Sequence, residues 1–181
     1  MPDITLIPAT PRVAQDVFQV VDANRDYIGQ WLPWAYSTLT VDDEIQFLRM
    51  MTDKEALGST YMRAIQFNGQ IVGSIDLHNV NREHRHAEIG YFLSAAASGK
   101  GIMHTALAQM EDLGFDQLGM NKIDILAATD NLPSRHVAER AHYHLDGILR
   151  EDINVNGILH DAAVYSKLYR EWVAARPTDV S

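Results

Sequence analysis

The segment from Glu88 to Thr105 holds the residue types and spacing best suited to chemistry. Ser98-Gly99-Lys100-Gly101-Ile102-Met103 stands between an apolar run, Ile89-Gly90-Tyr91-Phe92-Leu93, and a stripe of helical spacing formed by Met103, Ala106, Leu107, Met110 and Leu113. Two glycines let the backbone turn tightly with no Cβ in the way. The unpaired N–H groups of the next helix's first turn then point at an anion, reinforced by the positive end of the helix dipole. Such a turn can cradle a pyrophosphate, and it can equally be a plain strand-to-helix connection. It lacks the third glycine of a dinucleotide fingerprint and the Gly-Lys-Ser/Thr of a P-loop.

Other chemistries are disfavoured. With no cysteine among 181 residues, disulfides, thiolate nucleophiles, zinc fingers and iron–sulfur clusters are excluded together. The eight histidines include two close sets, His78, His84, His86 and His142, His144. Lacking cysteines and a spaced carboxylate set beside them, they read as surface or core residues, and no metal is expected. Fifteen Lys and Arg against 24 Asp and Glu give a net charge of −9. That sign repels phosphate backbones and anionic lipid, so no nucleic-acid partner is expected. It suits a cationic partner such as an amine or a basic peptide, although solubility alone accounts for it equally well.

These residues need a scaffold. A hydrophobic content of 46% with 22% charged residues is the balance of a globular protein. No apolar run approaches the roughly 20 residues of a membrane span. Met1 to Thr5 lacks the basic-then-apolar layout of a signal peptide, so a cytoplasmic location is expected. Ile4 to Ile7 reads as a short strand stopped by Pro8 and Pro11. Val13, Val17, Val20 and Val21 make a helix, with Thr10 as its cap and Pro11 just inside. The aromatic stretch Tyr27 to Tyr36 has neither period and reads as an irregular loop. Val41 to Leu57 is a second helix, capped by Thr40 with Asp43 three residues on.

Alternation from Tyr61 to Phe67, a type I′ turn at Asn68-Gly69 and a return over Ile71 to His78 predict a hairpin. A polar link, Asn79 to His86, leads to a strand over Glu88 to Leu93. After the glycine turn and its helix come a strand at Lys122 to Ala127 and a short helix within Asn131 to His142. Two last strands, Tyr143 to Asn154 and Ile158 to Tyr169, meet at Asn156-Gly157, and Ala174 to Ser181 reads as a frayed tail. No repeat or linker interrupts 1–181, which reads as one domain. The order β-α-α-β-β-β-α-β-α-β-β implies an α/β fold with a mixed sheet of about seven strands flanked by helices.

Joined together, Ile89 to Leu93 and Gly99-Lys100-Gly101-Ile102-Met103 resemble the acetyl-CoA-binding core of the GCN5-related N-acetyltransferases (GNAT), closest to the ribosomal-protein branch typified by RimJ and RimL. Trp31-Leu32-Pro33-Trp34 is similar to that branch's aromatic loop. Asn131-Leu132-Pro133-Ser134 followed by Val137-Ala138-Glu139-Arg140 resembles its Asn-x-x-Ser helix, and Gly147, Arg150, Gly157 and Asp161 follow its C-terminal hairpin. The likeness runs from about Ile4 to Tyr169. It departs at Ser98, where the family usually has Gln or Arg, at Met103, where it usually has Ala or Gly, and at Ala141-His142, where a Gly usually precedes the aromatic.

The resemblance implies a GNAT fold and transfer of acetyl from acetyl-CoA to an amine by direct attack. It places the pyrophosphate on Ser98, Gly99, Lys100, Gly101, Ile102 and Met103, and the oxyanion beside the strand at Tyr91, Phe92 and Leu93. Asn131 holds the pantetheine amides. Ser134 is the candidate acid for the departing thiolate, with Tyr143 in reserve, although Asn131 and Ser134 also suit ordinary helix capping. Glu88 is the candidate base, its pKa raised by burial; a surface pair with Arg85 or His86 is the competing reading. Trp31 and Trp34 wall the acceptor groove, or else simply pack. The preferred acceptor is a protein N-terminal α-amine. A small amine such as an antibiotic, a polyamine or an amino acid is the alternative, and a catalytically weak CoA-binding module a third. A homodimer through the last strand or the aromatic loop is compatible with the family.

Overall fold

The computed structural model describes residues 3–176. Its strands are β1 (Ile4–Pro8), β2 (Tyr61–Phe67), β3 (Gln70–Asn81), β4 (His86–Leu93), β5 (Lys122–Ala128), β6 (His144–Val155) and β7 (Ile158–Leu168). They form one mixed sheet in the spatial order β1-β2-β3-β4-β5-β7-β6, in which only β4 and β5 run parallel. The α/β class, the seven strands and their order along the chain agree with the sequence reading.

Helices cover both faces. On one lie α4 (Ile102–Glu111), α5 (Leu132–Arg140) and α6 (Tyr169–Ala174), packed on Ile65, Ile75, Leu77, Ile89, Ile123 and Ile125. On the other lie α1 (Ala14–Ala23), α2 (Arg25–Gly29) and α3 (Val41–Ala56), packed on Met62, Ala64 and Phe92. Alternation along each strand sends successive side chains to opposite layers. Among the described residues no helix is long and apolar enough to cross a membrane.

Local chemistry decided several elements as expected. Asn68 (φ 50°) and Gly69 (φ 81°) are both left-handed, as a type I′ turn demands, and Asn156 and Gly157 repeat the geometry. At α3, Asp43 N donates to Thr40 Oγ1 and Thr40 N to Asp43 Oδ2, a complete capping box.

Other readings are corrected. Thr10 makes no side-chain cap; a 3-10 turn over Pro11–Val13 leads into α1 instead. The aromatic stretch is not irregular. It forms α2 and a 3-10 turn over Pro33–Tyr36, each too short to show a period, with Ile28, Gly29 and Ala35 buried. Gly29 makes room for the Tyr36 ring, since a Cβ there would lie 2.5 Å from it and the ring would have to move. β3 extends to Asn81 through a bulge rather than ending at His78, and α4 runs on as a π-helical turn over Asp112–Gln117. The last strand stops at Leu168, where the chain turns into α6. Leu168 N–H donates to Glu171 Oε2, and Trp172 stacks 5.4 Å from Phe115. Of the tail read as frayed, Ala174 closes α6 and 177–181 lie outside the described residues.

Candidate active site

The single parallel pairing sets the site. β4 and β5 are in register only at His86 with Lys122, Ala87 with Ile123 and Glu88 with Asp124. Beyond Glu88 the strands part, and a cleft of about 480 Å³ opens between Ile89–Leu93 and Ile125–Ala128. Peptide groups along a strand point alternately to its two neighbours. Each parted edge therefore offers every second peptide group to whatever fills the gap.

At the cleft's mouth the chain turns through Gly99 and Gly101, both left-handed with φ of 75° and 77°. Gly101 is the residue before α4, and no side chain caps the helix. Its first amides are free donors at the positive end of the dipole, the chemistry of an anion-binding turn. Ser98 and Met103 line the cleft. Gly99, Lys100 and Gly101 are exposed outside it, and Ile102 is a core residue. Ser98 Oγ lies 3.0 Å from the Tyr27 hydroxyl and donates to Ser94 O, which ties α2 to the glycine turn.

Asn131, Pro133, Ser134 and Val137 form the wall opposite β4. Asn131 caps α5, its Oδ1 accepting Ser134 N–H at 3.3 Å, so capping and a place on the cleft coexist. The Tyr91 hydroxyl reaches across the parted strands to Ser134, 3.1 Å from both its carbonyl oxygen and its Oγ. Tyr91 thus contributes a side chain as well as strand backbone. Burial pushes its phenol up to about 12, so it stays protonated. Tyr91 and Leu93 face the α4 layer, and Phe92 faces the other. Tyr143 stands apart from this group: it does not line the cleft, and its ring sits under the Lys167 ammonium at 4.7 Å.

Glu88 stands at the fork, on the face opposite Tyr91. Its partners are His78 and Asn79, not Arg85, with Nε2 of His78 3.4 Å from Oε2 and Asn79 Nδ2 donating to Oε1 at 3.0 Å. The expectation that burial raises its pKa is overturned. The His78 bond outweighs burial and holds the carboxyl below its ordinary value. On the other side of the fork, His86 Nε2 lies 2.7 Å from Asp124 Oδ2.

The two tryptophans separate. Trp31 lines the cleft and meets His160 edge-on at 5.8 Å, closing it against the β6–β7 hairpin, whose Ile153 and Val155 complete the wall. Trp34 lies outside the cleft and packs edge-on against Phe92 at 5.4 Å. Tyr27, Gln30, Ile153, Val155 and the His78–Glu88 contact escaped the sequence reading. Tyr27 had a signal in the density of aromatics around it, and Gln30 closes the short α2 that showed no period, whereas the others depend on strand register. Among the described residues, no group of three or more His, Asp and Glu is arranged to hold a metal ion.

The profile of an acetyltransferase (GNAT) domain matches residues 3–144. YdaF of Bacillus subtilis, a candidate ribosomal N-acetyltransferase, is 31% identical over 174 residues, covering 93% of each chain. The spermidine N(1)-acetyltransferase of Escherichia coli K12 is 22% identical over 181 residues, covering 98% of this chain and 94% of its own. The solved structure of RimL, a ribosomal L7/L12 α-N-protein acetyltransferase in complex with coenzyme A, matches with a TM-score of 0.88 at 22% identity, over 93% of this chain and 95% of that one.

Proposed function

The chain belongs to the GNAT acetyltransferase family, whose members draw acetyl from acetyl-CoA, and from that premise we propose that it acetylates the α-amine of a protein N-terminus, a ribosomal protein in the first instance. The observation that carries the reading is the cleft itself. It has a free helix N-terminus at its mouth and the Ser134 hydroxyl on one wall, and Glu88 stands at the last registered pair before it opens, its carboxylate held on the β3 side. Kinship with YdaF over nearly the full length favours a protein acceptor.

The residues present fit acetyl-CoA. The uncapped first turn of α4 suits a pyrophosphate, and the peptide edges left unpaired by the parted strands suit the two amides of pantetheine. In this reading Ser98 to Met103 hold the phosphates, while Asn131 and the β4 edge at Tyr91, Phe92 and Leu93 hold the arm. When bound, the cosubstrate supplies an acetyl group activated as a thioester. Glu88 accepts the proton of the incoming ammonium, directly or through one water. An α-amine has a reference pKa near ~8, so part of it is already neutral near physiological pH and positioning alone can suffice, with no dedicated base mandatory. Ser134 holds its hydroxyl proton at the wall where a thiolate leaves, oriented by Tyr91. Trp31 walls the acceptor side, and Trp34 supports that wall through Phe92.

A second reading, acetylation of a polyamine, is supported by the spermidine relative and by Asp76, Glu88, Asp124 and Asp146 gathered near the fork. The deciding experiment incubates the protein with acetyl-CoA and a panel of Ala- and Ser-initiated peptides, spermidine and free amino acids, read by mass spectrometry and thiol release. Acetylated peptide α-amines are expected. Product from spermidine alone would overturn the acceptor proposed.

A further inference from the structure

The face of β3 and β4 that carries Glu88 holds a longer chain of charge than the reaction above uses. Asp76 and His78 are two apart on β3 and share that face. Asp76 Oδ1 lies 2.6 Å from His78 Nδ1, and His78 Nε2 lies 3.4 Å from Glu88 Oε2. Register places His78 opposite Glu88 and Asp76 opposite Gly90. Gly90 lines the cleft, and a Cβ there would come within 3.3 Å of His78 Cε1 and 3.4 Å of Asp76 Oδ2. The imidazole therefore lies over a strand position that has no side chain, at the wall of the cleft. The bulge after His78, with Asn79 at φ 50°, breaks the alternation and brings the Asn79 amide onto the second Glu88 oxygen. Both ring nitrogens face carboxylates. Only the imidazolium can donate at both, since a neutral ring would set a lone pair against one of them.

We propose that His78, braced by Asp76, is the positioning residue that keeps the Glu88 carboxylate ionised and fixed on the β3 side of the strand position where the fork opens. The inference rests on the reading of Glu88 as the base and says how that base is held. Burial works against a charged ring, but the two carboxylates overcome it and raise His78 to about 9. The His78 bond is also the main cause of the low Glu88 pKa. Other charges face the pair. His86, two residues before Glu88, adds positive field but is tied to Asp124, which stands opposite Glu88 on β5 and lies 3.3 Å from Lys122 Nζ. From β2 the residue opposite Asp76 is Met62, which carries no charge.

The test titrates the Glu88 carboxyl by carbon-detected NMR in the full chain, in the native protein, His78→Gln and Asp76→Asn, alongside kcat/KM against pH with the best acceptor of the panel. His78→Gln keeps a hydrogen-bond donor near Glu88 without the charge. An opposite charge in contact lowers a carboxyl by about 1–3 units, so the Glu88 midpoint is expected to rise by about one pH unit in His78→Gln. The acidic limb of kcat/KM should rise with it while KM for acetyl-CoA stays within about twofold, and Asp76→Asn should give a smaller rise in the same direction. A Glu88 midpoint unmoved in both variants overturns the proposal. Glu88→Gln separates the two readings: if it leaves the native rate and acidic limb intact, Glu88 is not the base and His78 positions nothing. If it removes the limb while the His78 and Asp76 variants do not shift it, the base stands and its proposed brace falls.

Discussion

Glu88 and Asp124 face each other as the last registered pair of β4 and β5, and past them the sheet opens. One residue of the pair is bonded to His78 and the other to His86, so two imidazole–carboxylate contacts flank the point where the strands separate. Charge is concentrated at the fork, while the interior of the cleft is walled by Ile89, Leu93, Ile125 and Val155.

Replacing Ser134 with alanine removes the candidate acid and little else. Tyr91 keeps its bond to the Ser134 carbonyl oxygen at 3.1 Å, and the Asn131 cap is accepted from a backbone N–H, so α5 stays in place. A roughly 100-fold fall in kcat is expected, within the usual range for one acid–base group. Acetyl-CoA affinity by calorimetry should be unchanged. An unaltered kcat would remove Ser134 from the mechanism.

Trp31 and Trp34 should respond differently to truncation. Trp31→Ala opens the wall shared with His160 and is expected to raise the acceptor KM about tenfold or more. Trp34→Ala removes an edge-on contact with Phe92 and should cost about 1–2 kcal/mol in urea unfolding, with the smaller effect on KM. Equal kinetic effects would contradict the separate placement of the two rings.

Glu44, on the buried face of α3 with Leu48 and Met51, has its carboxyl pushed up to about 7 by burial. The folded chain then holds a proton that the unfolded chain has lost between about pH 4.5 and 7. Stability from this group is full at low pH and falls as pH rises through that window. Glu44→Gln mimics the protonated form. Comparing denaturant midpoints, the variant should match the native protein near pH 5 and exceed it by about 2 kcal/mol at pH 8. Parallel stability curves across that range would refute the assignment.

Lys167 and Glu111 form a buried ion pair at 2.7 Å, with the Lys167 ammonium also over the Tyr143 ring. Burial raises the Glu111 pKa and Lys167 opposes that rise. Lys167→Met alone should cost about 3–5 kcal/mol because it strands a carboxyl in the core. The double variant Lys167→Met with Glu111→Leu should recover most of that loss, which a double-mutant cycle measures.

What could be read from the sequence is what neighbouring residues decide for themselves. Asn68-Gly69 and Asn156-Gly157 impose their turns through their own φ angles, and Thr40 with Asp43 closes its capping box within four residues. Gly99 and Gly101 announced the turn ahead of α4 in the same way. Where a partner distant in sequence decides, the reading failed. α6 forms where Trp172 can stack on Phe115, a residue of the crossover between β4 and β5. The low pKa of Glu88 follows from cross-strand register with His78, and a bulge inside what read as a polar link hid that register.

The three-residue pairing of β4 and β5 also has a mechanical consequence. Among the described residues it is the only strand pairing that joins β1-β2-β3-β4 to β5-β7-β6, and it is the sheet's one parallel contact, the less stable kind per residue. The core beneath runs across both halves, so the seam is weak in its backbone bonds alone, and amide exchange is expected to be fastest along the unzipped margins and slowest in the antiparallel ladders on either side. Whatever lies in the gap and bonds to both margins acts as a splint across the seam, so filling the cleft stiffens the whole sheet and not merely the walls that touch it.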